Sequence, residues 1–340
     1  MKKVRGRGSD MKKITLKDIA EVTGLSINSV SRALKDKDSI SVETRKMVQQ
    51  VAKEMGYIPN SLASSMRSGR TDSIAIILGE MVNPYNAYLM NHLTTHLHDR
   101  GYTTLMFVTN QRRSHEERAV QTAISKNVDA IINSTQLRPE NMELIKNHHI
   151  PFVQIGLVSM KPDFCQVSKD EYHSGYIAAR HLLSKGHRKI LHIVFPEKHF
   201  AFSHERIRGF RQAYAEFNVP FDEELVYTYY REDTIQHIMA RAMTETPSFT
   251  AVIAGNDVLA WQVVETLKGK GLRVPQDCAV IGFDDLHSFI SVPYVLTSIA
   301  SNLSDLSHHA IDMLMAQLDN EITTPRMYIE STYLVEGETT

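Results

Sequence analysis

Beyond residue 72 the chain repeats one pattern: a short unbroken apolar run, a turn, then a longer amphipathic stretch. The runs are SIAIIL, TTLMFVT, DAIINS and PFVQIG, followed after a helical stretch by KILHIVF, FTAVIA and CAVIGF. A strand with one wet face alternates polar and apolar residues. These runs do not, so they are expected to be buried on both faces, as in a parallel sheet between two layers of helices. One set ends near Val167, and the second begins after an expected helix over residues 174–185. The pattern predicts an α/β region of two lobes, each a doubly wound parallel sheet. In open sheets of this kind ligands sit beyond the carboxyl ends of the strands, here in a cleft between the lobes.

At 340 residues the chain is long enough for more than this region. Its net charge of −1 conceals an asymmetry: residues 1–70 hold 15 Lys and Arg against seven Asp and Glu, while the remainder holds 23 against 32. A basic head on an acidic body points to a polyanion-binding module joined to a part that does not touch the polyanion. No apolar run approaches the roughly 18 residues of a membrane span, and no secretory signal is evident, so no membrane partner and a cytoplasmic location are expected. Cys165 and Cys278 lie far apart in apolar stretches and are expected as buried thiols. Met11-Lys12-Lys13 echoes Met1-Lys2-Lys3, pointing to Met11 as the natural start.

The head carries TLKDIAEVTGLSINSVSRAL over residues 15–34. Thr15 followed by Asp18 forms a capping-box-like pair, Gly24 supplies a left-handed turn, and Ser26 caps a second short helix. Val30 and Leu34 face back toward Leu16, Ile19 and Ala20, which leaves Ile27, Asn28 and Arg32 pointing outward. This is helix-turn-helix spacing, in which the second helix enters the DNA major groove. Asn28 has the donor–acceptor edge for adenine and Arg32 the fork for guanine, while Ser26, Ser29 and Ser31 offer hydroxyls to phosphates. A third helix capped by Ser41 is expected to present Met47, Val48, Val51, Met55 and Ile58 as one stripe, closing a three-helix domain over 14–58. The plain alternative is a small helical bundle with no DNA role.

The same twenty residues, then ISVETRKMV and GYIPNSLASSMRSGRTDSIAII, and far downstream VPQDCAVIGFDD, resemble the lac repressor family of bacterial regulators over nearly the whole chain. The resemblance implies a hinge over residues 59–71 that folds on the operator, with Asn60 among the DNA contacts and Met66 where the family usually has a leucine wedge for the minor groove. Ser64 stands where an arginine is common. It also implies a sensor over 72–340 like a periplasmic sugar-binding protein. The first lobe is expected at about 72–168 plus 302–326, and the second at about 169–298 plus 327–340.

Residues at the expected strand ends fit ligand chemistry. Asn83-Pro84-Tyr85 follows the first run and presents Tyr85; Arg206 precedes Gly209-Phe210; Gly255-Asn256-Asp257 and Asp284-Asp285 follow later runs. Arg206, Asn256 and Asp284 offer a fork donor, an amide and a carboxylate, suited to vicinal hydroxyls of a sugar or another small polar effector. Asp257 is expected either in that set or as a helix cap, an alternative that also applies to Asp170 and Asp285. An enzyme is the rival class, since Asp and Arg in a cleft also describe glycosidases. No GxSxG, Walker A or HExxH motif supports it. His92, His96 and His98 have metal-like spacing, but a solvated helix face is the favoured reading. Taken together, these features lead us to expect a ligand-responsive regulator of carbohydrate or related catabolic genes, binding a pseudo-palindromic operator as a homodimer, with no cofactor. The alternative is regulation by a protein corepressor.

Overall fold

The computed structural model describes residues 14–34, 39–58, 69–157, 159–197, 200–246 and 248–340. The chain divides after Gly69 into two compact units.

In the smaller unit three helices, α1 (Leu16–Thr23), α2 (Ile27–Leu34) and α3 (Val42–Glu54), enclose one core. Thr15 caps α1 in a reciprocal box: its backbone N donates to Asp18 Oδ2 at 2.8 Å, and its hydroxyl accepts from Asp18 N at 3.4 Å. Gly24 ends the helix at φ +68°, a conformation that costs a side chain-bearing residue free energy. Ile19, Ala20, Val30, Ala33, Val48 and Ala52 form the buried centre. The expected α3 stripe is corrected at two positions. Met47 and Ile58 are exposed, at 43% and 74%, and Ala52 takes the inner position because it is small where the helices cross.

The larger unit contains two six-stranded sheets. The first has the order β11-β5-β4-β3-β1-β2, all parallel, and is built from β1 (Ser73–Leu78), β2 (Thr103–Val108), β3 (Ala130–Asn133), β4 (Phe152–Ile155), β5 (Cys165–Lys169) and β11 (Met327–Glu330). Its helices are α4 (Pro84–Asp99), α5 (Arg113–Ser125), α6 (Pro139–Asn147) and α11 (Leu303–Leu318). The second has the order β12-β10-β9-β8-β6-β7, with β6 (Ile190–Val194), β7 (Val226–Thr228), β8 (Ala251–Ala254), β9 (Ala279–Phe283), β10 (Thr297–Ser301) and β12 (Thr332–Val335). Its helices are α7 (Glu171–Ser184), α8 (Ala201–Glu216), α9 (Ile235–Glu245) and α10 (Asp257–Gly269). Among the described residues only the pairing of β12 with β10 is antiparallel.

The unbroken apolar runs of the inner strands have the predicted consequence, but TTLMFVT does not: β2 lies at the edge of its sheet, where Thr103 and Met106 are exposed. In β1, Ile74, Ile76 and Leu78 pack under α4 and α11, while Ala75 and Ile77 pack under α5 and α6. In β6, Leu191 and Ile193 face α9 and α10, and Ile190 and Val194 face α7 and α8. The chain crosses between lobes after β5, after β10 and after β11. The last crossing falls later than expected, because Met327–Glu330 pairs with β5 and belongs to the first lobe. The first lobe therefore runs to residue 330, not 326.

One close approach positions the cleft. A Cβ on Gly175 would lie 2.1 Å from the Arg206 carbonyl oxygen, and one on Gly209 would lie 2.1 Å from the Tyr172 carbonyl oxygen. Only glycine on both helices lets α7 and α8 touch backbone to backbone, and that contact brings the start of α7 to Arg206.

Candidate functional sites

On the head, helix periodicity alone decides which side chains are available. Val30 and Ala33 turn inward, so Ile27, Asn28 and Arg32 are exposed on the opposite side, and Ser31 is half-buried. Ile27 is 47% exposed although apolar. Ser26 Oγ accepts from Ser29 N at 3.1 Å and lies 2.9 Å from Ser29 Oγ, so these hydroxyls also hold the helix start. Asn60 and Met66 lie outside the described residues.

In the larger unit the carboxyl ends of both sheets meet at a buried polar set. Arg206, on the second turn of α8, is 6% exposed. Its Nε donates to Glu171 Oε2 at 2.7 Å and its Nη1 to the Gly255 carbonyl at 2.8 Å, while the guanidinium stacks 3.9 Å from the Phe283 ring. Facing it from the end of β5, Lys169 Nζ donates to Asp284 Oδ1 at 2.9 Å and sits 4.6 Å from the Tyr85 ring centroid. Burial alone would push the Lys169 ammonium down, but Asp284, with Tyr85 and Glu171, outweighs it and holds the group above the ordinary lysine range. Burial raises the Tyr85 phenol.

Several of these bonds tie the lobes together. Asn83, at the start of α4, donates from Nδ2 to Asp284 Oδ2 at 3.5 Å; Tyr88 donates its hydroxyl to the Phe289 carbonyl, with the two rings stacked at 4.7 Å; and Arg231 donates to the Asn110 carbonyl. The loop that makes the first two of these contacts is backbone-strained, with Asp284 at φ +100° and Asp285 at φ +52°. Strain of about 1–3 kcal/mol per residue persists only where surroundings over-determine it. The determinant here is Asp257, whose Oδ2 accepts from Leu286 N at 2.8 Å and Oδ1 from Ser298 Oγ at 2.7 Å. Burial, reinforced by the Asp284 charge, pushes the Asp257 carboxyl well above its usual range despite those two donors.

Of the expected ligand residues, Tyr85, Arg206 and Asp284 converge. Asn256 is half-buried, with its amide oxygen accepting from Leu259 N at 2.9 Å as the cap of α10. Asp257 does not cap α10: it starts that helix buried in the protein, with Oδ2 holding the strained loop directly and Oδ1 holding it through Ser298, whose Oγ accepts from Asp285 N at 3.0 Å. Asp170 does cap α7, through His173 N at 2.8 Å. Sequence reasoning missed Lys169 and Glu171, although a lysine ending an apolar strand at a lobe crossing and an acid opening the next helix were readable signals. Among the described residues no group of three or more His, Cys, Asp or Glu with metal-holding geometry occurs.

Comparison with known proteins bears on both sites. Residues 15–60 match the family "Bacterial regulatory proteins, lacI family", and residues 179–340 match "Periplasmic binding protein-like domain". The HTH-type transcriptional regulator DegA of Bacillus subtilis (strain 168) is 30% identical over 298 residues, covering 86% of this chain and 88% of DegA. Among solved structures, a transcriptional regulator CelR–cellobiose complex is 25% identical, with a TM-score of 0.73 over 96% of this chain and 100% of that one. The lac repressor dimer bound to operator and the anti-inducer ONPF shares the fold at a TM-score of 0.84 over 97% of this chain and 99% of that one, at 19% identity.

Proposed function

The chain belongs to the lacI family of bacterial regulatory proteins and is a DNA-binding transcriptional regulator, and from that premise we propose that a small uncharged polar effector, a sugar or close derivative, sets its operator affinity from the cleft. The observation that carries this reading is the convergence of Arg206, Lys169, Asp284 and Tyr85 from both lobes at the carboxyl ends of the strands. A ligand whose hydroxyls replace the Lys169–Asp284 and Asn83–Asp284 bonds changes how firmly the lobes are tied, giving it different affinity for open and closed states. That difference is what a switch requires. On the head, Asn28 and Arg32 read base edges, Ser26 and Ser31 hold phosphates, and Ile27 packs against thymine methyls. Two protomers read the two halves of a pseudo-palindromic operator, and the reading as a repressor follows the lac repressor. No catalytic step is assigned.

The division of labour is testable by pairing two variants in one experiment. Arg32→Ala is expected to lose operator preference while a thermal-shift screen against sugars, sugar phosphates and nucleosides is unchanged. Arg206→Ala is expected to lose the screen's hits while operator binding persists. Loss of both activities in both variants contradicts the division. A protein partner that shifts operator affinity when no small molecule does would assign control to a corepressor instead.

A further inference from the structure

The cleft lies at the carboxyl ends of the strands, whereas the chain enters the larger unit at their amino ends. Residues 70–72, the last of the expected linker, are held there by bonds that play no part in the cleft. Asp129, the residue before β3, offers its two carboxylate oxygens to two successive backbone donors: Oδ1 accepts from Thr71 N and Oδ2 from Asp72 N, each at 2.8 Å. The Thr71 hydroxyl donates to the Asn127 carbonyl at 2.9 Å and lies 3.2 Å from Asp129 Oδ1. Arg70 Nη2 donates to the Leu318 carbonyl at 3.0 Å and lies 3.6 Å from Asp319 Oδ1. Leu318 is the last residue of α11, so the guanidinium answers one of the final carbonyls that a helix cannot pair itself, at the negative end of the helix dipole.

This entry point is fixed against a conformational cost. Asp72 holds φ +50°, a left-handed conformation that a residue with a side chain keeps only where its surroundings over-determine it. Here its N–H is held by Asp129, and its carbonyl accepts from Thr103 N at 2.8 Å, at the start of β2. Asp129 N in turn donates to the Ser73 carbonyl at 2.8 Å, at the start of β1. The entry is thereby tied to the amino ends of β1, β2 and β3 and to the end of α11. A linker that only joins two folded parts works as a free coil and gains nothing from such fixing.

Two elements lead from this point toward the second lobe. β1 is six residues long, about 20 Å, buried from Ile74 to Leu78 and paired with β2 on one side and β3 on the other. Beyond it come Asn83, bonded to Asp284, and Tyr88, bonded to the Phe289 carbonyl. The second element, α11, follows β10 of the second lobe through the crossing at Asn302 and ends at Leu318 beside Arg70. Movement of one lobe against the other acts on the near ends of both elements, and both are held at their far ends to residues 70–72. We infer that Asp129 and Arg70 form a clip that fixes the linker to the first lobe, so that lobe movement reaches the residues beyond it. Asp129 is the main positioning residue, and Arg70 is an exposed auxiliary. The inference rests on the effector reading above and adds how the cleft is connected to the head. With the clip released, effector and operator each still bind, but neither senses the other.

The test is fluorescence anisotropy of the full chain on an operator selected from random DNA, with and without a sugar found in the thermal-shift screen, in the wild type, Asp129→Ala, Asp129→Asn and Arg70→Ala. In the wild type the sugar is expected to change operator affinity about 5- to 150-fold. Asp129→Ala should cut that ratio to less than about threefold, while sugar affinity without DNA stays within about twofold of wild type. Asp129→Asn, which keeps one acceptor oxygen, should fall between, and Arg70→Ala, at an exposed position outside the core, should lose a smaller part. Hydrogen exchange at the Thr71 and Asp72 amides should quicken in Asp129→Ala, reporting that the clip has opened. Unchanged exchange, or an unchanged ratio once exchange has quickened, overturns the clip and leaves the effector reading standing. A ratio lost only together with sugar affinity or thermal stability, and kept in Arg70→Ala, assigns Asp129 a purely structural role and overturns the clip as well. A sugar that binds the wild type without changing its operator affinity overturns the effector reading and the clip together.

Discussion

The head shows the groups proposed to read DNA to solvent, whereas the cleft keeps those proposed to hold the effector paired inside the protein. Ile27, Asn28 and Arg32 are exposed on α2, and Arg206, Lys169 and Asp284 are bound to Glu171, to each other and to both lobes. A surface that meets a rigid duplex needs only fixed spacing, which α2 provides. A cleft that must respond to a ligand needs internal bonds for the ligand to replace. Function and stability are thus separable in the head and fused in the cleft.

Chemical denaturation followed at Trp261, the single tryptophan, reports the second lobe and sharpens this contrast. The largest expected effect is Arg206→Ala, which leaves Glu171 buried without its cation and should cost about 3–5 kcal/mol. A loss below about 1 kcal/mol would mean the pair is not part of the lobe's structure. Gly209→Ala should follow at about 1–3 kcal/mol or more, because its methyl meets the Tyr172 carbonyl and forces α7 and α8 apart. A neutral result would break the claim that this contact seats Glu171.

Next comes a pH effect. His192 lies buried among Phe210, Tyr214 and Phe221, with Nε2 3.1 Å from the Tyr214 hydroxyl, and burial pushes it down to about 3. The unfolded chain takes up this proton near pH 6.5 and the folded one does not, so stability is intact above that pH and falls as pH drops toward 3. The slope from this group is about 1.4 kcal/mol per pH unit, and His192→Phe should flatten it. The smallest effect belongs to the head: Arg32→Ala should leave its thermal midpoint within about 0.5 kcal/mol of wild type while operator preference collapses. A destabilised head would show that recognition and folding are fused there as well.

The same contrast explains what could be read in advance. Thr15, Asp18, Gly24 and the outward set on α2 follow from spacings of three and four residues, which sequence displays directly. The doubly covered sheets follow from unbroken apolar runs. The cleft depends instead on partners far apart in the chain: Lys169 finds Asp284 across 115 residues and Arg206 finds Glu171 across 35. No local pattern announces such a pair. Asp257 was misplaced for a related reason. Asn256 takes the cap, and the residue after a cap points wherever the helix register sends it, here under the strained loop at Asp284. Met327–Glu330 joined the first sheet because a strand's partner is chosen by the crossing, not by its own residues.

The central claim is that the cleft and the operator surface are energetically linked. The most direct measurement is fluorescence anisotropy of the full chain on an operator selected from random DNA, with and without a sugar found in the thermal-shift screen. The account predicts a 5- to 150-fold change in operator affinity, about 1–3 kcal/mol, with an equal change in sugar affinity when operator is added. A sugar that saturates the cleft and leaves operator affinity unchanged would contradict it.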